Sequence, residues 1–122
     1  MMTPGKAVIL LGHGSRDPLW RQPIEAVAAR LKQSHPGLAV SCAYLELEPP
    51  DLPAAAAHLV GGGARYVTIV PMFLGAGKHA RDDLPGLREK LQRAHPGVAF
   101  ELQRPVGEDP RLLDLLAAIA AE

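Results

Sequence analysis

Ten residues beginning at Leu31, LKQSHPGLAV, return sixty positions later as LQRAHPGVAF, beginning at Leu91. In both places a stretch with helical spacing runs into His-Pro-Gly and then into a short apolar run. Proline forbids helix continuation and glycine tolerates the turn, so each copy reads as a helix end followed by a strand start. A joint of this kind, repeated at this distance, leaves few folds open. The chain must alternate strands and helices, in two βαβα halves of similar plan.

Apolar runs place strands at Ala7–Leu11, Leu38–Leu45, Tyr66–Met72 and Val98–Leu102. The first and third are nearly continuous, as expected of parallel strands covered on both faces. Between them, apolar residues recur at helical spacing at Ile24, Val27, Ala28 and Leu31, at Leu84, Leu87 and Leu91, and at Leu112, Leu115, Leu116 and Ile119. An alanine-rich helix over 51–60 stops at Gly61-Gly62-Gly63. The order β-α-β-α-β-α-β-α predicts an α/β fold, a three-layer doubly wound parallel sheet of about four strands. Ligands of such sheets bind beyond the carboxyl ends of the strands. Those ends are Gly12–Pro18, Glu46–Asp51, Phe73–Ala80 and Gln103–Asp109.

A chain of 122 residues fits one domain, 1–122. Its 13 basic and 13 acidic residues balance, so bulk charge gives no reason to expect nucleic acid or an anionic membrane as partner. The lone Cys42 can form neither an internal disulfide nor a cysteine-based zinc site. Residues 1–6 are too short for a signal peptide and no apolar run would span a bilayer, so a cytoplasmic protein is expected.

The five histidines divide by position. His35 and His95 occupy the matching helix-to-strand turns, where an imidazole near the last carbonyls suits the helix dipole. His58 reads as a surface residue of the second helix. His13, in GHGSRD, and His79, in GAGKHARDD, follow the first and third strands and fall on the ligand edge. If the first strands of the two halves are neighbours, the two imidazoles face one crevice; otherwise they are unrelated loop histidines. Flanking Gly12, Gly14, Gly75 and Gly77 would let a flat ligand approach the backbone. In AYLELEPPD, alternation puts Tyr44, Glu46 and Glu48 on one face at the end of the second strand. Two histidines and a carboxylate can hold a divalent transition metal with open positions, or accept protons. Taken alone, Glu46 or Glu48 reads as a solvated loop charge, the commoner case.

Other patterns fail. GHGSRD is not a dinucleotide fingerprint, because Asp17 stands where its third small residue belongs. Histidine phosphatases carry an arginine immediately before the histidine, where this chain has Gly12; phosphoryl transfer through His13 is the weaker alternative.

Taken in order, LLGHGSRDP, YLELEPPDL and VPMFLGAGKHARDDLP closely resemble the small class II tetrapyrrole chelatases, the sirohydrochlorin cobaltochelatases and related ferrochelatases. The match runs from strand one to strand four. The resemblance implies a chelatase-like (flavodoxin-like) half-domain and ATP-independent insertion of a divalent metal, Co²⁺ first and Fe²⁺ next, into sirohydrochlorin for cobalamin or sirohaem synthesis. It implies no prosthetic group, the metal being a substrate. It also makes His13 and His79 the metal-binding pair and puts Glu46 at the family's acidic position. The Glu48-Pro49-Pro50-Asp51 segment departs from the usual pattern, which leaves open whether Glu46 acts alone or with Glu48. No histidine-rich tail or loop is present, which disfavours a metal-storage or nickel-specialised variant.

On this reading Arg16, Lys78 and Arg81 pair with the carboxylate rim of the macrocycle. Phe73 and Leu74 support its face, or else belong to the core. Asp82 and Asp83 are expected in the first turn of the third helix. A broad flat ligand needs two walls, so a homodimer is expected. The competing readings are a non-catalytic metal or tetrapyrrole carrier and the phosphoryl-transfer enzyme.

Overall fold

The computed structural model describes residues 5–122; the reading of the first residues as too short for a leader lies, for residues 1–4, outside the described residues. Four strands, β1 (Lys6–Gly12), β2 (Ala39–Tyr44), β3 (Tyr66–Pro71) and β4 (Ala99–Leu102), alternate with four α-helices, α1 (Gln22–Ser34), α2 (Leu52–Gly61), α3 (Lys78–Ala94) and α4 (Pro110–Ala120). Single 3₁₀ turns precede α1 and α4, at Pro18–Arg21 and Val106–Glu108. All pairings are parallel and the sheet order is β2-β1-β3-β4. The strands starting the two halves, β1 and β3, are therefore neighbours, with Leu11 opposite Pro71.

Alternation along β1 explains the layers. Ala7, Ile9 and Leu11 are fully buried in one cluster with Ala55, Ala56 and Leu59 of α2 and Leu84 and Leu91 of α3. Gly12, on the other face, lies against Ile24 of α1. Truncating Ile9 or Leu84 to alanine in such a core costs about 2–5 kcal/mol.

Caps set the helix bounds. The Asp51 carboxylate accepts the Ala54 N–H at 2.8 Å, and Asp109 accepts the Arg111 N–H at 2.9 Å. His35 and His95 end α1 and α3, but through their backbone: each N–H donates to the carbonyl of Leu31 or Leu91. The rings do other things. His35 Nδ1 pairs with Ser34 Oγ at 2.8 Å, and the His95 ring tilts against Phe100. His58 is exposed on α2, as expected.

One boundary differs from the sequence reading. Helix α3 starts at Lys78, so His79 is helical and Asp82 and Asp83 fall in the second turn rather than the first. Gly77 in extended conformation opens the helix, and the Arg81 N–H bonds back to its carbonyl. Pro85 then lacks the N–H for the next turn, but burial of Leu84 and Leu91 carries the helix past it. The helix expected from Leu112, Leu115, Leu116 and Ile119 is α4. None of its residues is buried, and Leu113, Leu115 and Ile119 are each about half exposed or more. Its leucine stripe has helical spacing but does not pack down into the core.

Candidate functional site

The sheet order brings three loops together. Glu46 follows β2, His13 follows β1, and His79 follows β3, three strands that are direct neighbours. All run the same way, so all three residues leave the same edge.

The first two loops are stitched to each other. The Leu45 N–H donates to the Gly12 carbonyl at 3.0 Å and the Glu46 N–H to the His13 carbonyl at 3.1 Å, extending the β1–β2 ladder past both strands. Gly14 has φ +97°, and a side chain there would overlap the Glu46 carbonyl oxygen. Only glycine allows this approach. Beyond it the Ser15 N–H donates to Glu48 Oε2 at 2.7 Å, while Arg21 bridges Glu48 and Glu25, both at 3.2 Å.

Alternation therefore fails for the two glutamates. The strand ends at Tyr44, and Leu47 adopts φ +69°, with the Glu48 N–H donating to the Glu46 carbonyl at 2.9 Å. A non-glycine residue in this region stores about 1–3 kcal/mol of strain. The turn separates what a strand would have aligned: Glu46 is exposed, whereas the Glu48 side chain is 6% exposed and tied inward. Tyr44 is buried, and burial pushes its phenol up to about 12, so it stays protonated near neutral pH.

His13 is exposed and its ring lies flat on Phe73, with centroids 4.0 Å apart and 20° between planes. Phe73 itself is 3% exposed. What it offers a ligand is support for the imidazole, not a bare ring face. The Phe73 carbonyl accepts the Gly107 N–H at 2.9 Å, and a Cβ on Gly107 would overlap the Leu74 carbonyl, so the turn before α4 clamps this shelf from behind. Leu74 is exposed.

His79 lines an open groove of about 640 Å³ with Leu45, Glu46, Asp82, Asp83 and Lys90. That volume lies within the range of small-molecule sites, about 300–1,000 Å³. The two aspartates are groove residues that the sequence reading assigned to a helix dipole; the early start of α3 puts them there. Among the described residues no three His, Cys, Asp or Glu side chains gather closely enough to cage an ion. Arg16 and Lys78 are exposed and, among the described residues, make no ion pair. Arg81 instead pairs with Glu108 at 3.2 Å, on the side of α3 that meets the loop after β4. Of the four flanking glycines, Gly75 and Gly77 face open space, but Gly12 and Gly14 are filled by Ile24, Tyr44 and Glu46.

The CbiX family model matches residues 7–122. The chain belongs to the CbiX family. Among curated relatives, the sirohydrochlorin cobaltochelatase of Methanosarcina acetivorans is 30% identical over 122 aligned residues, covering 94% of each chain. That of Methanococcus aeolicus is 34% identical, covering 91% of this chain and 94% of the relative. A CbiX protein of Marinobacter aquaeolei superposes with TM-score 0.83 at 35% identity, covering 95% and 94% of the two chains. The SirB chelatase of Bacillus subtilis in complex with cobalt shares the fold, with TM-score 0.80 at 23% identity, but this CbiX chain spans only 50% of it. The α/β chelatase fold read from the sequence is thus the fold observed.

Proposed function

We infer that this CbiX protein is a metal chelatase that inserts a divalent ion into sirohydrochlorin. Supporting this is the emergence of His13, Glu46 and His79 at one sheet edge from three adjacent strands, in a chain matched over almost its whole length by sirohydrochlorin cobaltochelatases. Co²⁺ is the proposed ion, with Fe²⁺ as the second.

The chemistry required is exchange. M²⁺ loses its waters, binds four ring nitrogens and displaces two pyrrole N–H protons. Neutral imidazole binds Co²⁺ and Fe²⁺ yet yields them to a macrocycle. His13, braced on Phe73, and His79, in the first turn of α3, receive the ion. The Glu46 carboxylate, exposed in the same groove as His79, or a histidine once it has released the ion, accepts each departing proton in turn and passes it to solvent before the next. Arg16 and Lys78 meet the carboxylate rim; Arg81 does so on leaving Glu108. The reaction is proposed to need no ATP.

The protein is proposed to act in the cytoplasm as one domain per chain and as a homodimer. The groove is open on one side, and the leucine stripe of α4 lies exposed where a second copy could cover it. That this chain spans half of SirB is in keeping with two copies doing the work of one longer chain.

The test mixes protein, sirohydrochlorin and Co²⁺ without ATP under anaerobic conditions and follows the ring absorbance. Turnover beyond one equivalent, lost in His13→Ala and His79→Ala, is expected. Stoichiometric binding with no acceleration would make the protein a carrier, and full activity in both variants would remove the histidine assignment.

A further inference from the structure

Glu48 takes no part in those steps, yet its carboxylate is enclosed beside them. One oxygen accepts the Ser15 N–H at 2.7 Å, the short distance of a charge-assisted bond, and the other accepts from Arg21 at 3.2 Å. Ser15 lies two residues beyond His13, and Glu48 two residues beyond Glu46. Between the β1 and β2 loops, two links are backbone ladder bonds, at Gly12 and His13. At Gly14 the chain turns with φ +97° and the ladder can go no further. The Glu48 side chain supplies the third link, past the point where backbone can reach.

The left-handed turn at Leu47 (φ +69°) lies between Glu46, which is exposed, and Glu48, whose carboxylate is held. Strained backbone persists only where its surroundings hold it, and Leu47 is itself exposed and gives no such hold. Glu48, fixed by an amide and a guanidinium, gives such a hold, beside the backbone bonds from the Glu48 N–H to Glu46 and from the Tyr44 N–H to Pro50.

We propose that Glu48 is a positioning residue: through the Ser15 amide and the Leu47 turn it fixes the His13 imidazole and the Glu46 carboxylate in register with each other. Its carboxylate is committed to protein partners and takes no proton from the substrate. The activity part of this role rests on the chelatase reading; the structural part does not.

The experiment uses the full chain. In ¹³C–¹H NMR of the wild type, the His13 ring protons are expected upfield of an unstacked imidazole, because the ring lies on Phe73. Glu48→Ala should move them toward the unstacked position. Glu48→Gln keeps an acceptor for the Ser15 N–H and should restore most of the shift. In the insertion assay, Glu48→Ala should lower kcat by about ten- to a hundredfold, as small misplacements of reacting groups do. KM for the macrocycle should be little changed, and Glu48→Gln should recover most of the rate. Unmoved His13 resonances in Glu48→Ala would overturn the proposal. So would a Ser15 amide that exchanges freely with solvent in the wild type, a measurement that needs no variant to fold. Shifted His13 resonances in a protein whose wild type inserts no metal would uphold the positioning role and sink the chelatase reading.

Discussion

Replacing Gly14 by alanine is the sharpest test of how the site is built. At φ +97° an alanine gives up about 1–2 kcal/mol to backbone sterics alone. Its methyl would overlap the Glu46 carbonyl oxygen, and restoring a normal contact needs a shift on the order of 1 Å. A shift of that size breaks the Glu46 N–H bond to His13 and the Ser15 N–H bond to Glu48. Those losses are about 1 kcal/mol for the neutral bond and about 1.5–3 kcal/mol for the charged one. The total is about 4–6 kcal/mol, which for a domain of this size lowers Tm by about 15–25 °C. Thermal unfolding followed by circular dichroism measures it, with Gly75→Ala as the control, since a methyl there meets nothing within 4 Å. A Gly14→Ala protein that melts with the wild type and keeps its insertion rate would refute the claim that the two loops are locked through this residue.

Glu46→Gln should slow metal insertion by about 10²–10⁴-fold with Tm unchanged, because only the backbone of Glu46 is used in the hydrogen bonding that joins the loops. Asp109 is held at about 2, below its usual 3.8, chiefly by its hydrogen bonds from Arg111. A depressed carboxyl contributes stability above its unfolded value and loses it as pH falls through the folded one. The amides at the start of α4 should therefore lose exchange protection between pH 3.8 and about 2, and Asp109→Asn should remove that dependence. Burial, and secondarily Glu25, raises the Cys42 thiol, so alkylation by iodoacetamide near neutral pH should be slower than for an exposed peptide thiol; equal rates would contradict the burial. The proposed homodimer, read by sedimentation, should fall to monomer in Leu115→Glu with Ile119→Glu, on the exposed face of α4.

All four strands and their order along the chain were legible, because buried parallel strands write themselves as apolar runs and His-Pro-Gly marks two of the joints. The repeat raised the neighbouring of β1 and β3 only as a condition, and the sheet order meets it. What sequence could not resolve was local and geometric. Period-two alternation put Glu46 and Glu48 on one face, and a single left-handed residue, Leu47, undid it; nothing about a leucine announces positive φ. The start of α3 was read several residues late because its first turn, Lys78 to Arg81, carries no apolar stripe. The Phe73 shelf under His13 joins residues sixty apart and leaves no periodic trace. Asp82 and Asp83 could have been found, since His79, Asp82 and Asp83 have the spacing of one helix face once the helix is begun at Lys78.

The pairing of β1 with β3 joins residues 6–11 to residues 66–71 across everything between them. No local folding event can create that contact, since closure of so long a loop must come first. A nascent chain thus carries His13 as an isolated imidazole until more than half of the polypeptide has been synthesised, and His79 later still. On the proposed assignment, a growing chain gains the two-imidazole site only after β3 and the residues through His79 have left the ribosome.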